Sequence, residues 1–140
     1  MTANRDAGQA LAESILLGLL LLVPLIWALG VLSELQRGAL ATTAAAREAG
    51  FEVARSGNAA EADRAAAMAV REAFADHGLD PEEARFAWSG VGLERGSAVR
   101  VEVSFPVPVL GAPLLGGLSE ASIWVRAQHV ARVDPFASRP

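Results

Sequence analysis

The sequence predicts an α+β chain in which a long N-terminal transmembrane helix continues into an exposed helix, followed by a second helix and a small antiparallel β-sheet. Three observations carry that expectation. ILLGLLLLVPLIWALGVL, from Ile15 to Leu32, holds no charged side chain. The residues after it, to about position 78, are rich in alanine and other good helix formers. Beyond Pro81, AVRVEVSF alternates strictly and ASIWVRAQHVARV concentrates β-branched and aromatic residues, as strands do.

As a helix, Ile15 to Leu32 covers about 27 Å, and Ala10 to Ala12 can extend it across a hydrocarbon core about 30 Å thick. A cleaved secretory signal would carry a basic leader and a shorter apolar core, whereas MTANRDAGQALAES sets Arg5 against Asp6 and Glu13. Pro24 predicts a bend and not an end, because membrane helices tolerate the missing N–H. The span is placed at 9–33.

SELQRGALATTAAAREAGFEVARSG carries the helix outward from the span. Gly38 and Gly50 each cost about 1 kcal/mol relative to alanine and mark places where it could fray or bend. Ser56-Gly57-Asn58 punctuates the chain, and AAEADRAAAMAVREAFADHG reads as a second helix with Asn58 as N-cap and Gly78 as its stop. Its apolar stripe of Ala66, Met68, Ala69, Val70, Ala73 and Phe74 predicts core. This helical region is placed at 34–78.

A sheet region follows at 79–134, with a tail at 135–140. Val99, Val101, Val103 and Phe105 share one face of a strand against Arg100, Glu102 and Ser104 on the other. Arg85 to Trp88 and Val91 to Leu93 supply one or two shorter strands. In PVPVLGAPLLGG, prolines 106, 108 and 113 predict against a central strand. The apolar residues there, Val107, Val109, Leu110, Leu114 and Leu115, form either a partner surface or a loop tucked over the sheet.

Composition narrows the function. Hydrophobic residues make up 52% of the 140 and mean hydropathy is +0.32, with much of the excess in the first third. A net charge of −4 offers no basic field for phosphate backbones, which argues against nucleic acid as a partner. There is no cysteine, hence no disulfide framework or thiolate metal site. His77 and His129 lack partners at metal-ligand spacing, and no phosphate loop, G-x-S-x-G or H-E-x-x-H occurs. These features predict no catalytic residue, metal or cofactor, and a protein that is not an enzyme.

Glu13 is the feature that composition leaves unexplained. A carboxylate near a helix centre in lipid costs about 2.5 to 3.5 kcal/mol, so one at the mouth of this run invites a functional reason. In G-QALAE it is the fifth residue after Gly8. That spacing resembles the class III signal of type IV pilins and pseudopilins. GQALAESILLGLLLLVPLIWALGVLSELQRGALATTAAAREAG, with GSAVRVEVSFPVPVL and ASIWVRAQHVARVDPF, resembles the TadE-like family of pilus assembly proteins from tight adherence (Tad/Flp) systems, over most of the chain.

The resemblance implies a pilin-like fold and a minor pilin or pseudopilin that acts in assembly of a Tad/Flp-type pilus. It implies a leader at 1–8, removed between Gly8 and Gln9 by a prepilin peptidase. It also implies that Glu13 sets subunit register by meeting the mature N-terminal ammonium of a neighbour, with Gly18, Ala28 and Gly30 letting helices approach. The implied partners are the prepilin peptidase, other pilins or pseudopilins, Tad assembly platform proteins and the lipid bilayer. The implied place is the cytoplasmic membrane, single-pass, with the N-terminus cytoplasmic and the remainder outside. This sequence departs from the family pattern at Ser14, where many members carry an aromatic, and in a leader whose only basic residue is Arg5. Gln9, once exposed, could cyclise and lose the amine. The alternative is an unprocessed bitopic anchor that presents a small extracytoplasmic binding domain.

Overall fold

A computed structural model of the chain describes residues 3–90, 93–109 and 121–134, the first five of these by backbone alone. Helix α1 is a single element, Ala3–Arg55, and α2 is Ala59–Asp76. A short 3₁₀ turn at Pro81–Glu83 leads to three strands, β1 Arg85–Gly90, β2 Ala98–Val109 and β3 Ala121–Arg132. They form one antiparallel sheet in the order β1-β2-β3. The chain is thus α+β. It divides into two compact units, Met1–Ser33 with Val109–Ala121, and Glu34–Pro108 with Ser122–Pro140.

In the first unit α1 is helical from Ala3, earlier than the expected start at residue 9, and Pro24 lies inside it. Pro24 therefore does not end the helix. The most apolar window of α1 has no buried residue and is long and apolar enough to cross a membrane.

The second unit holds the core, with the 34–55 part of α1 and α2 packed on one face of the sheet. Alternation puts Val99, Val101, Val103, Phe105 and Val107 of β2 inward, all 3% exposed or less. Against them α1 lays a face of small residues, Ala41, Thr42, Ala45, Ala46 and Ala49, with Val53. The Thr42 hydroxyl is buried and donates to Gly38 O at 2.6 Å, so the one polar group on that face is satisfied within the helix. Neither Gly38 nor Gly50 breaks α1, and both are places of close approach. A β-carbon at Gly38 would lie 2.6 Å from Val107 Cγ2, and one at Gly50 would lie 2.7 Å from His129 Cδ2.

Helix α2 contributes Ala62, Ala66, Val70, Ala73 and Phe74, and the Phe74 ring stacks on Phe105 at 4.8 Å. Its ends follow the sequence signals. Asn58 Oδ1 accepts from Glu61 N at 2.9 Å, and the Glu61 carboxylate accepts from Gly57 N at 3.0 Å. At the other end Gly78 takes φ +67°, Leu79 N donates to Phe74 O and Gly78 N to Ala75 O. This paired closure is the Schellman motif, and it needs a residue without a β-carbon at the left-handed position. Met68 departs from expectation: it is 71% exposed and not core. At 100° per residue it lies far around the helix from Ala66, Val70 and Ala73, outside the buried stripe.

Strand β1 pairs with β2 from Arg85↔Ser104 to Gly90↔Val99, which places Phe86 and Trp88 half-buried on the inner face. Trp88 Nε1 donates to Asp63 Oδ1 at 2.6 Å, tying β1 to α2. Leu93 forms no strand, and Val91 lies outside the described residues, so β1 is the short strand of the sheet.

The reading of the prolines is corrected. Strand β2 is the central strand, and it runs through Pro106 and Pro108 to Val109. The physical reason is the length of β1: its last pair is Arg85↔Ser104, so Pro106 and Pro108 lie beyond the stretch that pairs with β1, where β2 resembles an edge strand and tolerates proline more easily.

Candidate functional site

The residues that the sequence singles out fall in separate places. Gly8, Gln9 and Glu13 all lie on α1 in the first unit. Gly8 has open space around the position a β-carbon would take, and Gln9 and Glu13 are exposed. Glu13 is the only charged side chain between Asp6 and Glu34. Among the described residues it takes no hydrogen-bond or ion-pair partner, whereas the next residue, Ser14, donates its hydroxyl to Ala10 O at 2.9 Å. From Glu13 to Ser33 a helix rises about 30 Å, the thickness of a hydrocarbon core. An isolated chain can therefore hold Glu13 at one boundary of the bilayer. Gly18 and Gly30 have no side chain near them, so both leave a smooth surface on α1.

The apolar loop separates into parts. Val107 is 2% exposed and packs against Gly38, so it belongs to the core and is not a contact surface. Val109, the last residue of β2, is half-buried. Leu110, Leu114 and Leu115 lie outside the described residues.

The two histidines have structural surroundings. His77 caps α2, with Nδ1 2.8 Å from Ala73 O. His129, half-buried on β3, lies beside Phe51 with ring centroids 5.4 Å apart. Among the described residues no three His, Asp or Glu side chains are grouped so as to hold a metal ion.

A surface feature that sequence reasoning missed lies within the second unit. Between the 44–52 stretch of α1 and α2 runs a groove of about 540 Å³. Met68 and alanines line it with His77 at one end, and carboxylates flank it on both helices: Glu48 and Glu52 on α1, Glu72 and Asp76 on α2. Each pair is spaced i, i+4 and so stacks along one flank of its helix. Glu52 lies 3.6 Å from the exposed Arg55, while Glu48, Glu72 and Asp76 take no partner among the described residues. The signal in the sequence was this doubled i, i+4 acid spacing beside alanines.

Compared with protein-family models, characterised proteins and solved structures, the chain matches none of them.

Proposed function

We propose that this chain is a minor pilin or pseudopilin that acts in assembly of a Tad/Flp-type pilus, matured by a prepilin peptidase between Gly8 and Gln9. The observation that carries the reading is the position of Glu13. It stands alone at the mouth of an exposed apolar helix, five residues after Gly8, with no partner in its own chain among the described residues. Removal of 1–8 would create an ammonium at Gln9, and on a neighbouring subunit that group is a partner of the right charge. Pairing would turn the cost of carrying Glu13 into lipid into a contact that fixes depth and stagger. The resemblance to TadE-like proteins and the passage of one helix from an apolar segment into the α+β unit support the same reading. The chain sits in the cytoplasmic membrane with its N-terminus inside and the second unit outside, where it meets other pilins and the assembly platform. It is an interaction protein, with no catalytic role.

Intact-mass measurement of the membrane form, with and without a prepilin peptidase, tests this. The expected product begins at Gln9 and disappears in Gly8→Leu, because a side chain beside the scissile peptide obstructs close approach by the protease. A Gly8→Leu protein that still matures to Gln9, or a wild-type protein that keeps its leader, refutes the processing step. The second result favours the unprocessed bitopic anchor, for which the single basic residue of the leader, Arg5, is the supporting observation.

A further inference from the structure

The second unit has an unusual division of side-chain sizes. Along α1 the buried residues are glycine, alanine, threonine and valine, while Leu40 is 63% and Phe51 39% exposed. On α2, Met68 is 71% exposed beside alanines. Large apolar side chains ordinarily fill interiors. Phe74 does so on α2, but Leu40, Phe51 and Met68 remain outside, and they mark two different surfaces.

The first is the groove between α1 and α2, with Met68 and alanines flanked by carboxylates. The second is a stripe on α1. Leu40, Arg47 and Phe51 recur at i, i+7 and i+11, the spacing of one helix face, and Thr43 fills the step between Leu40 and Arg47. Arg47 lies over the Phe51 ring at 5.8 Å and takes no ion pair among the described residues, so its charge is available. The stripe is thus apolar with a cation at its middle, and the groove is apolar with carboxylates at its edges. At 100° per residue the stripe is centred about 80 to 120° around α1 from Glu48 and Glu52, so the two surfaces adjoin at Ala44 but face different directions.

We propose that the groove of one copy receives the Leu40–Arg47–Phe51 stripe of a second copy, so that the second unit makes a head-to-tail contact through its own helices. The inference rests on the assembly reading above and names a surface for it. The occupant is a second copy because the same chain carries both halves of the match. Leu40 and Phe51 supply the apolar side chains that can cover Met68, and Arg47 supplies the charge that Glu48, Glu72 and Asp76 lack. Two copies related in this way leave a free stripe at one end and a free groove at the other. A contact of this heterologous kind repeats along a line unless a rotation closes it into a ring.

The chain has no cysteine, which makes a disulfide test specific. Full-length Leu40→Cys and Met68→Cys proteins are co-expressed in one membrane and oxidised, with insertion of each checked by carbonate extraction. Both sites are exposed, so neither change disturbs the core. The expected result is a mixed dimer far in excess of the dimers that either variant forms alone. It should be lost when Arg47→Glu is added to the Leu40→Cys chain. It should return when Glu48→Lys and Glu72→Lys are then placed in the Met68→Cys chain. A mixed dimer no more abundant than the like-with-like dimers overturns the proposal. So does a crosslink of Met68→Cys to a different protein in place of the second copy, or indifference to the charge reversals. Leader removal is read in the same samples. Processed chains without the mixed dimer refute the contact and leave the assembly reading standing. A mixed dimer of chains that keep their leader refutes the maturation reading and leaves the contact.

Discussion

Gly38→Ala pits two effects against each other at a single site. In a helix interior the change favours folding by about 1 kcal/mol through propensity alone. At Gly38, however, the new β-carbon would stand 2.6 Å from Val107 Cγ2 and 3.9 Å from Phe105 Cδ1. Apolar carbons rest about 3.5 to 4.0 Å apart, so the helix and β2 must separate by roughly 1 Å or Val107 must turn. Val107 is 2% exposed and β-branched, with χ1 held stiffly, and it sits on the central strand. Overpacking of this kind costs about 1 to 3 kcal/mol. The clash therefore outweighs propensity, and the expected net is a loss of about 1 kcal/mol.

Gly50→Ala is the internal comparison. Its β-carbon would meet His129 Cδ2 at 2.7 Å, but that ring is half-buried and at the rim of the sheet, where it can swing outward. Propensity and clash should nearly cancel there. Urea unfolding of the full chain in mild detergent, followed by tryptophan emission, ranks the variants, since Trp88 is tied into the second unit through Asp63. Gly38→Ala combined with Val107→Ala should be more stable than the sum of the single losses by about 1 kcal/mol, because the obstructing methyls are gone. Gly38→Ala more stable than wild type by about 1 kcal/mol would refute the close-approach argument and leave propensity as the only effect.

Asn58→Ala should cost about 1 kcal/mol in the same titration, because Glu61 N loses its capping acceptor, and Asn58→Asp should restore most of it. Met68→Ser should change stability by less than about 0.5 kcal/mol, while Val70→Ala, 3% exposed on the same helix, should cost about 2 kcal/mol. Equal losses at the two positions would return Met68 to the core. Glu13→Gln should insert as well as wild type, since a neutral amide is cheaper in hydrocarbon than a carboxylate, and should keep leader removal. It should lose crosslinking to pilus components in membranes that hold equal amounts of protein, and normal crosslinking by the processed variant would sink the registration mechanism.

The elements were legible wherever a local rule decides them. Asn58 and Gly78 bracket α2 because an N-cap and a left-handed closure are made by residues within a few positions of each other. The inward set from Val99 to Phe105 follows from the period of a strand, which is independent of the partner. Most of what failed depended on partners remote in sequence. Gly38 and Gly50 looked like weaknesses because a propensity scale knows the helix and not the sheet it touches. Pro106 and Pro108 looked incompatible with a central strand, and they lie beyond Ser104, where β1 has ended. Met68 was assigned to the core by hydrophobicity, although its angle on the helix already separated it from Val70. The groove left only its doubled i, i+4 acid spacing in the sequence, since its two rows of carboxylates lie on different helices and become one feature only when those helices pack.

The small residues that face the sheet also bear on why large ones remain outside. A helix lined by Gly38, Ala41, Ala45 and Ala49 can approach β2 closely, and the gain from burial is then spread over many short contacts. Apolar burial contributes about 25 cal/mol per Å², so alanines stabilise the unit less per residue than leucines would. The close approach leaves no room along this line of α1 for a side chain the size of Leu40 or Phe51, whereas α2 buries Phe74 and leaves Met68 out by its angle on the helix. Leu40 and Phe51 are not drawn in along this line, where even one β-carbon at Gly38 meets Val107. Their exposure is thus a consequence of the way the core is built. Removing them from water requires a surface from another molecule, and the groove that carries Met68 is the surface proposed above for Leu40 and Phe51.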